Sequence, residues 1–225
     1  MSADPHRDGG GLSNRRRRTR KDLLAAAARL LRHGGTPTME EVAEEALVSR
    51  ATAYRYFPRV EPLLVEAALD MAMPDAAALF EGDPSTDAEA RIDRAEAALH
   101  DMTFGHEAQL RLMLIHALQH ALDGPAETRG QRPPVRQNRR LPLIRAALEP
   151  ARARLRKAEH DRLCAALALI FGTEAMIVFR DVLQMDAAQA RQVKSWAVRA
   201  LVRTALAEAK SREATGRVAR RAPLG

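Results

Sequence analysis

Apolar residues recur along this chain at helical spacing almost from the start. Leu23, Leu24, Ala27, Leu30 and Leu31 share one face of a 3.6-residue repeat, and Gly34 and Gly35 follow directly. The pattern predicts a helix that takes in "DLLAAAARLLRH" and stops at the glycines, which accept the left-handed conformation of a helix end. In "TMEEVAEEALVS" Thr38 and Glu41 form a capping-box pair ahead of a short acidic helix whose inner face is Val42, Ala43 and Ala46. Leu47 and Val48 break that pattern. Ser49 is then an N-cap for a third helix, Arg50 to Phe57, ended by Pro58. A fourth helix is expected from Glu61 to about Met73, with Pro62 tolerated in its first turn. Short helices joined by a tight turn predict a helix-turn-helix unit that leans on this fourth helix for its core.

The texture changes beyond residue 75. Helices are expected from about Thr86, over "HEAQLRLMLIHALQHALD", and as one helix or a broken pair around Pro150, with a loop over 124–138. Two long helices close the chain. The first carries an apolar stripe through Leu163, Leu167, Ile170 and Phe171 to Val178, interrupted by Glu174, with Ala165, Leu169, Met176 and Ile177 as a second flank. The second repeats the rule at Val193, Trp196, Ala197, Ala200 and Leu201. A helix that is apolar on more than one side must be covered on more than one side. These residues are therefore expected to form a dimer interface. The predicted fold class is all-α, an N-terminal three-helix helix-turn-helix domain followed by a C-terminal helical domain. The boundaries read 1–14 as a disordered tail, 15–74 and 75–212 as the domains, and 213–225 as a basic disordered tail.

Composition narrows the picture. A hydrophobic content of 46% rich in alanine and leucine favours helix, and 12 glycines and 12 prolines are too few for a turn-dense β protein. The single Cys164 forms no intramolecular disulfide framework and fits a reducing compartment. The N-terminus has no apolar signal-peptide core, and no apolar run approaches the roughly 20 residues of a membrane span. A cytoplasmic location without membrane contact is expected.

Net charge is +7, and residues 1–60 hold 12 Lys and Arg against 7 Asp and Glu. In the same region "SRATAYRYFPR" gathers both tyrosines of a chain with 4% aromatics and sets them among Arg50, Arg55 and Arg59. At about 100° per residue Ala53 and Phe57 fall together and should pack inward. Ala51, Thr52 and Arg55 then face outward, with Tyr54 and Tyr56 flanking them. This suits a helix in the DNA major groove. Short residues let the backbone approach, Arg55 can reach guanine acceptors, and the tyrosine hydroxyls can meet phosphates on the two groove walls.

The stretch "RRTRKDLLAAAARLLRHGGTPTMEEVAEEALVSRATAYRYFPRVEPLLVEA" resembles the N-terminal DNA-binding domain of TetR-family transcriptional regulators. The resemblance implies a homodimer that represses, less often activates, by binding a palindromic operator. It also implies a C-terminal domain that binds a small effector and dimerises through its last two helices. It places Thr38 on a phosphate, Arg50, Ala51, Thr52 and Arg55 in the groove, and Tyr54 and Tyr56 on the backbone. Leu47 stands where the family usually has glycine. Val60 stands where it often has a phosphate-contacting lysine, which Arg59 next to it would replace. The run Arg15–Arg18, including Arg17 and Arg18, is either a minor-groove arm or a solvated tail; both add salt-dependent affinity.

Other chemistry is sparse. His116 and His120 sit four apart, and with His106 they offer an alternative function, a helical-bundle metal-binding protein or enzyme. Two polar residues on a partly exposed face is the plainer reading of the pair. Glu174 interrupts an apolar stripe and needs a partner: an arginine across a dimer, a backbone donor near Gly172, or a cationic ligand. Met102, Phe104, His106, Met113, His116, Phe171, Glu174 and Met176 are the candidate effector-binding residues. No catalytic motif is present, Cys164 lies in an apolar helix as a buried filler would, and neither a cofactor nor enzymatic activity is expected.

Overall fold

The computed structural model describes residues 9–33, 36–122 and 138–221. Among these the chain forms helices and no strand. In order they are α1 (Gly9–Arg32), α2 (Met39–Glu45), α3 (Arg50–Tyr56), α4 (Val60–Ala72), α5 (Ala76–Phe80), α6 (Ala88–Gly105), α7 (Glu107–Leu122), α8 (Arg140–Leu148), a 3-10 segment (Glu149–Arg154), α9 (Lys157–Ile170), α10 (Thr173–Ile177), a π-helical turn (Val178–Val182) and α11 (Ala187–Arg221). The chain divides into two compact units, 1–72 with 108–137, and 73–107 with 138–225.

In the first unit α1 packs on α4 and on α2, and α2 packs on α3. The core joins Leu23, Leu24 and Ala27 of α1 to Val42 and Ala43 of α2, Ala53 and Phe57 around α3, and Leu63 and Ala67 of α4. Those of α1, α2 and α3 are inward positions that the sequence pattern marks; the pattern leaves the inner face of α4 unspecified. Arg20 seals the edge. Its guanidinium donates twice to Glu66 of α4, at 2.6 and 2.5 Å, and stacks 4.7 Å from the Phe57 ring. Arg20 therefore fastens α1 to α4. The expected N-terminal tail is also corrected: α1 is already helical from Gly9, so only residues 1–8 of the stretch 1–14 lie outside the described residues.

In the second unit α6 packs against α11 and α8, and α9 lies against α8 and α11. The break at Pro150 is a true one, with the 3-10 segment separating α8 from α9. The long helix expected over 160–183 is interrupted. Gly172, at φ 102, ends α9, and the axis bends by 41° into α10. A side chain is strained at that φ, and a Cβ there would stand 3.2 Å from the Arg140 guanidinium. The bare backbone lets Arg140 reach in, donating to Ala168 O at 2.9 Å and to Glu174 at 2.8 Å. α5, capped by Asp75, has no counterpart in the periodicity reading. α11 continues to Arg221, so the stretch 213–221 is helix where a disordered tail was expected. The predicted loop 124–138 lies outside the described residues except for Asn138, as do Gly34 and Gly35.

The interior of this unit holds charge. Lys194 of α11 and Glu96 of α6, at 1% and 0% side-chain exposure, pair at 2.5 Å, and Arg191 stands 3.2 Å from the same carboxylate. The Lys194 ammonium also lies 3.4 Å from His100 Nδ1. Burial, then the Lys194 charge, pull the His100 pKa down to about 4, so its imidazole is neutral at pH 7. Burial likewise pushes Glu96 up and Lys194 down, while their mutual attraction opposes both shifts.

Candidate nucleic-acid interface

Local chemistry fixes the position of α3. Ser49 caps it, its hydroxyl accepting from Thr52 N at 3.2 Å and lying 2.9 Å from Thr52 Oγ1. Ala53 and Phe57 are buried, which pins the roll of the helix. Ala51, Tyr54 and Arg55 are left exposed, Thr52 and Tyr56 half-buried. The Arg55 guanidinium sits 5.6 Å above the Tyr56 ring, and Arg59 pairs with Glu61 at 3.3 Å. No acidic residue occupies the first turn of α3, and Arg55 is in its last turn. The outward face is thus small, hydroxylated, aromatic and basic.

The turn before it is tight. Leu47 adopts φ 55 with 93% of its surface exposed, and Val48 N donates to Ala43 O at 2.9 Å. The chain takes the left-handed geometry that glycine would supply, with a leucine in place. On α2, Thr38 caps the first turn: its hydroxyl accepts from Glu41 N, and its backbone N–H donates to the Glu41 carboxylate at 2.7 Å. That backbone donor first, and the Thr38 hydroxyl second, hold the Glu41 carboxyl below its usual range. Arg15–Arg18 lie exposed on the first described turns of α1, so Arg17 and Arg18 project from a helix.

Glu40 escapes the sequence reading, which marks α2 only as a short acidic helix behind the capping-box pair. Its carboxylate accepts from the Tyr54 hydroxyl at 3.4 Å and stands 3.9 Å from Arg50 Nε.

The remaining candidates fall in both compact units. Phe171 and Met176 are fully buried and Met102 nearly so. Phe104 stacks on His100, ring centres 4.3 Å apart, and the Arg180 guanidinium stands 5.4 Å from the Phe104 ring centre. His106 Nδ1 lies 3.0 Å from Met102 O. Met113 and His116 belong to the first unit and the other candidates to the second, and His116 is exposed. The His120 side chain lies outside the described residues. Among those residues no group of three or more His, Cys, Asp or Glu is placed to hold a metal ion. Glu174 is on the surface, paired with Arg140 of its own chain and not buried on a stripe. Cys164 is buried beside His160, and burial raises its thiol pKa.

The expected dimer residues divide in two. Leu163, Leu167 and Phe171 are core of their own unit and cannot be contact residues. Ile170, Ala197, Ala200 and Leu201 are half-buried, while Val193 and Trp196 are exposed, Trp196 by 73%. Leu169, Val178, Val182 and Leu183 are exposed as well. Among the described residues no single helix is long and apolar enough to cross a membrane.

Comparisons with curated proteins and with solved structures found no match. Residues 23–67 match the family model described as "Bacterial regulatory proteins, tetR family". The matched segment runs from the α1 core leucines through the capped α2–turn–α3 pair to Ala67 of α4, the same residues that build the first unit's core. The match supports a regulator of the TetR family, with these residues forming its helix-turn-helix DNA-binding domain.

Proposed function

We propose that this regulator is a repressor that binds a palindromic operator as a homodimer and is released by a small-molecule effector. The observation that carries the reading is the outward face of α3, where Ala51, Thr52, Tyr54 and Arg55 stand on a helix fixed by the Ser49 cap and the buried Phe57. Arg50, Thr52 and Arg55 address base edges, and Ala51 allows close approach. Tyr54, Tyr56, Thr38 and Arg59 hold phosphates, with Arg17 and Arg18 adding charge from α1. Two copies of α3 must then sit about 34–36 Å apart, in successive major grooves. The exposed apolar flank of Leu169, Val193 and Trp196 supports pairing of two chains through α9 and α11.

We place the domain boundary at residues 74–75, close to the passage from the first compact unit to the second at Met73, although residues 108–137 cluster with the first unit. Effector binding is assigned to the second unit near the C-terminal turn of α6, with Met102, Phe104 and His106. An effector that prefers the DNA-incompetent spacing by roughly 5 kcal/mol would empty a nearly full operator.

Selection of bound duplexes from a random library tests the reading. The wild-type protein should return a two-fold-symmetric consensus, and Arg55→Ala should lose preference at one base pair per half-site, a discrimination of about 1–3 kcal/mol. Tyr54→Phe should weaken all sequences alike. Recovery of no consensus, or one unchanged by Arg55→Ala, would contradict the assignment.

A further inference from the structure

Four carboxylates line α2, and the structure gives three of them other surroundings. Glu41 closes the capping box with Thr38, Glu45 accepts from Arg29 of α1 at 2.6 Å, and Glu44 is exposed. Glu40 alone turns onto α3, where it meets the Tyr54 hydroxyl and the Arg50 guanidinium, two of the groups proposed above to meet DNA. A carboxylate here has a cost for a DNA-binding surface. It lies within a Debye length of any phosphate those groups reach, and it competes with that phosphate for the same donors.

We infer that Glu40 is a specificity-determining residue, whose carboxylate holds Arg50 and Tyr54 in the free protein and so weakens binding to duplexes that lack the operator bases. The inference rests on the reading of α3 as the groove helix. On a duplex without the operator bases Arg50 has only phosphate to reach, an attraction that is the same for every sequence, so a carboxylate that must release it penalises a complex made of phosphate contacts alone. At the operator Arg50 keeps Glu40 beside its Nε while its other guanidinium N–H groups meet a base edge, so that penalty is not incurred there. A repulsive element of this kind widens the ratio between right and wrong sites without tightening the right one.

The test is Glu40→Gln in the full-length chain, titrated by fluorescence anisotropy. The duplexes are the consensus recovered by library selection and an unrelated one of equal length. The measurements are made at about 50 mM and about 200 mM salt. Glu40→Gln should bind the unrelated duplex roughly three- to tenfold tighter at the lower salt, as expected for releasing two exposed charge-assisted contacts. Its affinity for the consensus should change less, and the gain should shrink at the higher salt. A role in folding alone would not produce that salt dependence. The gain should also fall in an Arg50→Ala background.

Unchanged or weaker binding of the unrelated duplex at low salt overturns the inference and leaves the groove assignment standing. If the wild-type chain binds no duplex at low salt, the groove assignment itself fails. Should Glu40→Gln lose its helical circular dichroism, Glu40→Asp decides: its shorter side chain withdraws from both partners and is expected to shift affinity in the same direction.

Discussion

Leu47 occupies a conformation that costs a side chain roughly 1–2 kcal/mol, because at φ 55 its Cβ crowds the adjoining carbonyl. Nothing is gained from burial in return, since 93% of its surface is exposed. Leu47→Gly should therefore stabilise the first unit. The gain is limited to about 1 kcal/mol by the extra chain entropy that glycine loses on folding. A urea midpoint that does not rise would mean the turn adopts another geometry. The sequence discloses that a side chain must be accommodated there. It does not disclose how, because the choice between straining one residue and reshaping the turn depends on where α2 and α3 are held. Thr38 shows the opposite case. Its capping partner is three residues away, so the pairing with Glu41 is legible without any structure.

Among the elements, α6 and α11 are joined by a charged core that their hydrophobic pattern conceals. Lys194 lies between Val193 and Ser195 on α11, and the carboxylate it needs is on another helix nearly a hundred residues away. Removing one member of a buried pair leaves the other uncompensated. Lys194→Met should cost about 3 kcal/mol in urea unfolding, despite replacing a charge with an apolar side chain of similar length. Lys194→Met with Glu96→Leu should recover much of that loss. A single variant as stable as wild type would show that Arg191 alone satisfies Glu96. The same concealment explains Glu174. An apolar-stripe argument assumes one straight helix through residue 178, and the 41° bend after Gly172 takes Glu174 off that stripe and onto Arg140.

At the scale of the whole molecule the open matter is pairing, which the periodicity anticipates in kind but not in detail. Residues on two sides of α9 and α11 are apolar, and the monomer's own core consumes one side, including Leu163, Leu167 and Phe171. The proposed dimer face is the side left over. Trp196 dominates it at 73% exposure, bordering a surface groove with Arg191, Gln192, Ser195 and Arg199. A buried charge without a partner is costly, so Trp196→Glu should convert the protein to monomer in sedimentation velocity and reduce operator affinity with it. A dimer that survives this change would place the interface elsewhere.

The helix-turn-helix unit was determined by sequence alone, because its signals are short-ranged. A capping box spans three residues, a helical face repeats every three or four, and Phe57 falls on the inner side of α3 by counting from Ala53. The tertiary structure alone decided which apolar flank is interior, where Gly172 bends α9 away from α10, that Lys194 has Glu96 for a partner, and that Glu40 reaches Tyr54. Each of these is settled by which helices come to lie side by side. That choice is made by the packing of the whole unit, and no local repeat encodes it.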